Sequence, residues 1–402
     1  MQKHKGNDLL FSAILISQVT TLLPLILGFI GIPAGLQVIS LIRYVMMILA
    51  TFCLIKHMIK HHLKISFLQF LFLIWIVYLY ITVVPNLLDP YRNHLHFKQF
   101  LSSVMFMYLI PLMMIAELNI VFLRKYIKLC YILLLFYIVF ALFFSKYDDE
   151  NFTLFVEGIV VLLMTWVYHA PKKRRIIIIS LIIVLIGMML AARRNRVVYF
   201  GGGFVLALVV NILQNNSYTN SKKTTLVILS LAMGVGLYFT AGYFSDFFIK
   251  MGTGMDSRET AIENFIDDFD SHPSDWIWGR GLYGQYDGSL LNTDTDLELR
   301  DGIENGYLFL ILKGGGVWLF LLTLIALNAI YKGCFKSRNL LCKGFAMIIL
   351  LYYIDMIGFG IPQNSLKYMM VFIAIAGCNT PWLLECSDDY LANEIGLKNK
   401  KL

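Results

Sequence analysis

The sequence predicts an all-α fold: a polytopic integral membrane helical bundle of about 12 transmembrane helices with one large, partly helical periplasmic loop. Of the 402 residues, 58% are hydrophobic and 15% are charged, and the mean hydropathy is +0.69. A soluble domain of this composition would have too few polar side chains to cover its surface. Apolar runs recur along the chain, and a single long stretch, Asp246 to Glu304, is hydrophilic.

A spanning helix needs about 20 mostly apolar residues. This length predicts spans near 9–29, 35–55, 66–84, 100–120, 127–145, 152–170, 176–192, 197–214, 224–245, 306–330, 340–360 and 367–385. The chain therefore divides into helices 1 to 9 (1–245), the large loop (246–305), and helices 10 to 12 with a cytoplasmic tail (306–402). The first run lacks a small-residue cleavage site, which indicates a span rather than a signal peptide.

Basic residues set the orientation. Most of the 34 lysines and arginines fall in one set of alternate loops. Cytoplasmic loops carry such an excess, so both termini are predicted to be cytoplasmic and the large loop to face outward, which in a bacterium means the periplasmic side of the inner membrane. The six cysteines lie in or beside apolar runs without paired spacing, which argues against a disulfide framework or a zinc site.

Arg193, Arg194 and Arg196 oppose this orientation, because they lie between two spans on the predicted outer side. One interpretation is that a span has been miscounted. The other is that the arginines bind an anion at the outer surface, since a guanidinium grips phosphate oxygens with two hydrogen bonds and never loses its charge.

The loop is strongly acidic, which would repel nucleic acid. Simple solvation of an exposed face explains most of its carboxylates. Asn292, Asp294 and Asp296 alternate as at the start of a calcium loop, but Leu297 and Ile303 stand where glycine and glutamate are required. Neither this stretch nor its short Asp-x-Asp pattern supports a metal site, and no metal or cofactor is predicted.

Two features lie within the loop. Asp256 to Asp270 has apolar residues at helical spacing, which predicts an amphipathic helix against the membrane or the rest of the loop. The stretch His272 to Gly284 then combines a helix-breaking His-Pro, turn glycines and the aromatics Trp276, Trp278 and Tyr283. These rings are either interfacial anchors or stacking surfaces for sugars.

Charged residues inside spans are costly and point to function. Arg43, Glu157 and Asp355 are such residues. Either the two acids pair with Arg43 or lie near an interface, or they belong to a proton-coupled transporter.

The order of motifs resembles the superfamily of O-antigen polymerases and O-antigen ligases. Ser257-Arg258 precedes the amphipathic helix, and a His-Pro and a Gly-x-Gly turn follow. Asn305 then begins an Asn-x-Tyr-Leu stretch that enters a helix with a glycine pair, and RRNRVVYFG over 193–201 is similar to the superfamily's arginine-containing turn. The resemblance covers roughly the second half of the chain.

The resemblance implies transfer of a glycan from undecaprenyl diphosphate, without a nucleotide sugar or cofactor. The partners it implies are an undecaprenyl-diphosphate-linked oligosaccharide, the lipid bilayer and a chain-length regulator protein. The ligases carry a histidine directly before the asparagine, where this chain has Glu304. This difference favours a polymerase, often called Wzy-like, over a ligase that transfers glycan to lipid A core.

Glycosyl transfer needs a base for the acceptor hydroxyl and charge stabilisation for the departing diphosphate. Glu304 at the mouth of a span is the first candidate base, with a pKa expected to rise by partial desolvation, and His272 is the second. The candidate substrate-binding residues, with Arg258 and the 193–196 cluster ranked first for diphosphate, are Arg193, Arg194, Arg196, Arg258, Arg280, Arg300, Trp276, Trp278, Tyr283 and Asn305.

Two other functions compete with the polymerase. A lipid-linked glycan flippase built of two related halves should show internal repetition, and the large loop has no counterpart in the first half. A non-catalytic scaffold in envelope assembly does not explain the outer arginines.

Overall fold

The computed structural model describes residues 5–29, 36–60, 65–82, 107, 109–144, 155–190, 193–214, 219–230, 232, 234, 236, 257–288, 299–358, 360, 362 and 365–395. Inside these helices some residues, Arg43, Arg194 and Arg258 among them, are described by their backbone alone. The statements below concern these residues. The predicted calcium-like stretch at Asn292, Asp294 and Asp296 lies outside them.

The described chain is all-α apart from one small antiparallel hairpin, which confirms the predicted class. The helices are α1 Lys5–Phe29, α2 Leu36–Lys60, α3 Phe67–Ile81, α4 Ile120–Phe144, α5 Ile159–Met164, α6 Pro171–Leu190, α7 Arg194–Gln214, α8 Ser257–Asp270, α9 Pro273–Trp278, α10 Gly306–Tyr331, α11 Leu340–Gly358, α12 Leu366–Asn379, α13 Pro381–Glu385 and α14 Asp388–Ile395. Short 3-10 helices cover Ile110–Ile115 and Trp166–Tyr168, and a π-type turn covers Lys332–Lys336. The hairpin pairs β1, Tyr286–Asp287, with β2, Leu299–Arg300.

Three described helices are long and apolar enough to cross a membrane: Asn195–Leu213, Gly306–Lys336 and Leu340–Gly358. Phe67–Ile81 and Leu366–Asn379 are shorter apolar helices. The core centres on α12, which is buried from Leu366 to Cys378 and packs against α11 and α10. The predicted number of about 12 spans stays a prediction.

The sixth predicted span, 152–170, is not one continuous helix over its described residues. Glu157 and Gly158 form a turn before α5, and the 3-10 helix follows Thr165. A Cβ atom on Gly158 would lie 3.0 Å from that of Cys130, so the turn packs closely against α4. The hydroxyl of Thr165 donates to the carbonyl of Val161 at 2.8 Å, where the helix ends. Nearly all of these side chains are buried, and hydropathy is the same for a broken buried segment as for a continuous one.

The tenth predicted span, 306–330, is interrupted at Gly315, which has a φ of 71° and a ψ of 174°. A Cβ atom on Gly333 would lie 2.9 Å from Ala346, and one on Gly306 would lie 2.9 Å from Met356. In a straight helix Gly306 and Gly333 would be about 40 Å apart. The residues that they approach in α11, Met356 and Ala346, are only about 15 Å apart along that helix. The part of α10 before Gly315 therefore does not continue the axis of the part that follows, and it begins beside the last turns of α11.

The hydrophilic loop forms a small unit over this end, which we call the cap: α8, α9, the hairpin and the first half of α10. Its own core contains Phe265, Phe269, Tyr286, Ile303 and Leu312. The amphipathic helix predicted over 256–270 is present as α8, and it buries its apolar face inside the cap. Because Leu312 lies in α10, the cap includes the start of that helix.

Backbone contact joins α9 to the break in α10. A Cβ atom on Gly279 would lie 2.4 Å from the backbone nitrogen of Gly315. A Cβ atom on Gly315 would lie 2.1 Å from the carbonyl oxygen of Ile277. Both glycines have a positive φ, a conformation that costs other residues about 1 kcal/mol or more. The Arg280 amide donates to the Leu312 carbonyl at 2.8 Å, a group that the interrupted helix leaves without its usual donor.

Candidate functional site

Three helices begin and one ends at the same end of the bundle, which we call the loop end. The helices α7, α10 and α12 begin here, and α11 ends here at Gly358. The side-chain amide of Asn195 donates to the Gly358 carbonyl at 3.0 Å, and that of Asn305 donates to the neighbouring Ile357 carbonyl at 3.2 Å. The starts of α7 and α10 are thus held on adjacent carbonyls at the end of α11.

Capping residues explain where two of these helices begin. The side chain of Asn305 accepts from the amides of Tyr307 and Leu308 at 3.0 and 3.1 Å, and that of Ser365 accepts from Tyr368 at 3.2 Å. Asn and Ser are preferred at this position because they satisfy amides that have no partner within the helix. Asn305, predicted to bind substrate, therefore has a structural role as well.

The start of α7 carries the wrong charge for an isolated helix. The amino-terminal end of a helix has a partial positive charge, which favours acidic residues there. The first turn of α7 has no acidic residue and instead contains Arg194 and Arg196, directly after Arg193. Negative charge nearby, either from the protein or from a bound anion, would offset this unfavourable arrangement.

Part of that charge comes from Glu157, which is fully buried. One carboxylate oxygen accepts from the Arg196 guanidinium at 3.0 Å, and the other accepts from the backbone amide of Lys367 at 2.7 Å. A single carboxylate therefore joins the starts of α7 and α12.

A second buried ion pair lies beside the first. Lys367 Nζ is 2.6 Å from Asp355 Oδ2, and the two side chains are 2% and 4% exposed. The ammonium also lies 4.9 Å from the centre of the Tyr199 ring. We call Glu157, Arg196, Asp355 and Lys367 the buried network, and its two positive charges balance its two negative charges.

The described contacts pair Glu157 with Arg196 and Asp355 with Lys367, whereas one of the interpretations of the sequence paired the two acids with Arg43. Lys367 was not among the predicted residues, although it is a single lysine at the start of an otherwise apolar run. The side chain of Arg43 lies outside the described residues.

Glu304 and Arg193 flank the loop end. Glu304 directly precedes the Asn305 cap, Arg193 comes two residues before Asn195, and both are exposed. The structure therefore brings the predicted base and the predicted arginine turn to the same end of the bundle. Glu304 is solvent-exposed, so the prediction that it is partly desolvated is wrong.

Arg280, in contrast, is bound within the cap. Its guanidinium donates to Asp268 at 2.5 Å and to Asp275 at 2.7 Å, and it lies 4.6 Å from the centre of the Phe269 ring. Burial alone would raise the pKa of Asp268, but hydrogen bonds from Arg280 and from the Asp287 amide hold this pKa below its ordinary value. A diphosphate would have to compete with two carboxylates for this arginine.

The remaining predicted residues also belong largely to the cap. His272 Nδ1 lies 3.1 Å from the Asp268 carbonyl oxygen, and Trp276 Nε1 donates to Asp270 at 3.1 Å. Arg300 lies in β2 opposite Tyr286.

Three further predicted residues lie between residues 257 and 288. Trp278 stacks on Trp75 of α3, with ring centres 5.6 Å apart. Tyr283 is partly buried against the main core, and Arg258 is in the first turn of α8.

The fold and the site define an all-α protein with helices long and apolar enough to cross a membrane, and with a polar cap over a charged helix-end cluster. Comparisons with protein-family models, with curated proteins and with solved structures give no match. The function must therefore be argued from the chemistry of the loop end.

Proposed function

We propose that this chain polymerises undecaprenyl-diphosphate-linked oligosaccharide repeat units into a surface polysaccharide, which is an O-antigen, a capsule or an exopolysaccharide. The observation that carries the proposal is the meeting of three helix starts, the Arg193–Arg196 turn and Glu304 at the loop end. In this proposal the loop end faces the periplasm, both termini are in the cytoplasm of a bacterium, and the bundle spans the inner membrane about 12 times.

The loop end suits a diphosphate for two reasons. Helix starts carry a partial positive charge that favours anions, and here α7, α10 and α12 begin close together. Arg196 pairs with Glu157 and Lys367 pairs with Asp355, and two further arginines, Arg193 and Arg194, stand at the start of α7. Arginine suits a diphosphate because its guanidinium can bind phosphate oxygens with two hydrogen bonds.

The proposed reaction is a displacement at the anomeric carbon of the donor glycan. The Glu304 carboxylate removes the proton from the acceptor hydroxyl, and the hydroxyl oxygen forms a bond with the anomeric carbon. The bond from this carbon to the diphosphate oxygen breaks, and undecaprenyl diphosphate leaves with the electron pair. The proton passes from Glu304 to water. Arginines stabilise the charge that grows on the leaving diphosphate, so no general acid and no metal is needed.

Matched variants test these assignments in membranes that contain lipid-linked repeat units. We expect Glu304→Gln to lower kcat about 100-fold or more, as loss of a general base does. Arg193→Ala should raise the KM for the lipid-linked donor. The control variants are Glu263→Gln, an exposed acid on α8, and Arg175→Ala, an exposed arginine at the start of α6. If kcat is the same in Glu304→Gln and Glu263→Gln, Glu304 is not the base.

A ligase is the nearest alternative, because it uses the same donor and differs only in its acceptor. Transfer of glycan to lipid A core, without lengthening of the lipid-linked units, would favour it.

The buried network favours a second alternative, a proton-coupled flippase, because buried charges are typical of transporters. A deletion strain separates the two functions. Loss of a polymerase leaves single repeat units on the cell surface, whereas loss of a flippase leaves none.

A further inference from the structure

The short helix α9 exposes apolar side chains although it lies in the hydrophilic loop. Ile277 is 52% exposed and Trp278 is 50% exposed. Trp276, on the same helix, turns inward and packs edge-on against Phe265 and Phe269 in the core of the cap. The two outward side chains therefore do not help to hold the cap together.

The contact between α9 and α10 shows where α9 lies along the length of that helix. A Cβ atom on Gly315 would lie 2.1 Å from the carbonyl oxygen of Ile277, so α9 lies at the break in that helix. The part of α10 after the break, with the π-type turn to Lys336, is about 32 Å long. This length matches the roughly 30 Å hydrocarbon core of a bilayer. The helix α9 thus lies where one boundary of that core would fall.

The exposed side chains of α9 continue an apolar surface of α3. Trp278 stacks on Trp75 with an interplanar angle of 27°, and Trp75 Nε1 donates to the Gly314 carbonyl at 3.0 Å. The Tyr78 ring, 41% exposed, has its centre 4.8 Å from that of Trp75 and joins this contact to the exposed apolar face of α3 that includes Val77, which is 57% exposed. Tryptophan and tyrosine rings are enriched at the level of lipid headgroups, where one edge is apolar and the other is hydrated.

We propose that Ile277, Trp278, Trp75, Val77 and Tyr78 form a lipid-binding surface that anchors the cap in the outer headgroup region of the bilayer. We call it the anchor surface. Its partner is the boundary between lipid headgroups and acyl chains, because the surface is continuous with an apolar helix face and lies at the end of a bilayer-length helix. The anchor fixes the cap at the boundary of the bilayer, and the proposal does not depend on the enzymatic activity.

Spin labelling in lipid nanodiscs of phosphatidylethanolamine and phosphatidylglycerol tests the anchor. A nitroxide on Ile277→Cys is compared with one on Val77→Cys, from α3, and one on Glu263→Cys, from the exposed polar face of α8. Power saturation measures collisions with oxygen, which concentrates in lipid, and with a water-soluble nickel complex. Protein without an introduced cysteine, labelled in parallel, corrects for the native cysteines.

We expect the label at Ile277 to resemble that at Val77, with more oxygen than nickel collisions, and the label at Glu263 to show the reverse. Nickel accessibility at Ile277 equal to that at Glu263 would overturn the proposal. Shielding from both reagents would also overturn it, because a protein partner would then cover the surface. Fluorescence gives a second measurement: brominated lipids should quench wild-type emission more than that of Trp278→Phe, and equal quenching contradicts the anchor.

Discussion

At the scale of single residues, Glu157 connects the packing of the bundle to the loop end. Its carboxylate holds Arg196 and the start of α12 at once, and it is fully buried. Placing a charge away from water is costly unless a partner and hydrogen bonds compensate for it. The geometry supplies both, so the pair should be strongly coupled.

Replacing either Glu157 or Arg196 alone should therefore lower the free energy of unfolding much more than replacing both with uncharged residues. We expect Glu157→Gln to lower the free energy of unfolding by about 3–5 kcal/mol, because it leaves Arg196 without its counter-charge. The double variant with Arg196→Met should lose less than the two single variants together. Unfolding in mixed micelles with increasing denaturing detergent measures these differences.

The matched control is an exposed ion pair, Lys125 with Asp8 at 3.3 Å, with side chains 46% and 55% exposed. Its Asp8→Asn variant should change the unfolding free energy by at most about 1 kcal/mol. If Glu157→Gln and Asp8→Asn lower the free energy of unfolding equally, the buried pair contributes no more to stability than the exposed pair.

The Arg280 contacts predict a pH dependence of the cap. Because the pKa of Asp268 is lower in the folded cap than in the unfolded chain, this carboxylate stabilises the cap at pH values above its unfolded pKa, about 4. The stabilisation is lost as the pH falls through the lowered pKa. Amide exchange of α8, corrected for its intrinsic pH dependence, should stay slow from about pH 8 to 5 and accelerate below about pH 4. Asp268→Asn should remove most of this pH dependence, and an unchanged profile in that variant would contradict the assignment.

At the scale of secondary-structure elements, the break in α10 positions the cap. Gly315→Ala introduces a Cβ atom 2.1 Å from the Ile277 carbonyl oxygen at a positive φ, so α9 must move away. We expect exchange of the Arg280 amide, which donates to Leu312, to accelerate at least tenfold, or about 1.4 kcal/mol. Gly302→Ala is the control, because among the described residues its Cβ atom would meet Phe309 alone, at 3.7 Å. Equal exchange in the two variants would show that the break does not hold α9.

Sequence patterns predicted some elements well and others poorly, for physical reasons. The periodicity of Phe265 and Phe269 predicted α8 because one face of that helix is polar. Hydropathy cannot distinguish a straight buried helix from a broken one, so the turn at Glu157 and the break at Gly315 were missed. Positive φ at Gly315 depends on tertiary contact with α9, which local sequence does not encode.

At the scale of the whole molecule, the site depends on how helix ends meet. Basic-residue counting predicted that the Arg193–Arg196 turn and Glu304 lie on the same side, and the structure brings them to one end of the bundle. The partners of the buried charges were not predictable, because Glu157 and Lys367 are 210 residues apart in the chain. Tertiary packing, which places the turn before α5 beside the start of α12, brings such distant residues together.

The central claim is that the loop end joins lipid-linked repeat units. The most direct measurement uses purified protein in nanodiscs with synthetic undecaprenyl-diphosphate-linked repeat units, a metal chelator and no nucleotide sugar. We expect a ladder of glycans that differ by one repeat unit, with one undecaprenyl diphosphate released for each bond formed. If the glycans remain single repeat units while the cap of the protein shows native amide protection, this chain is not a polymerase.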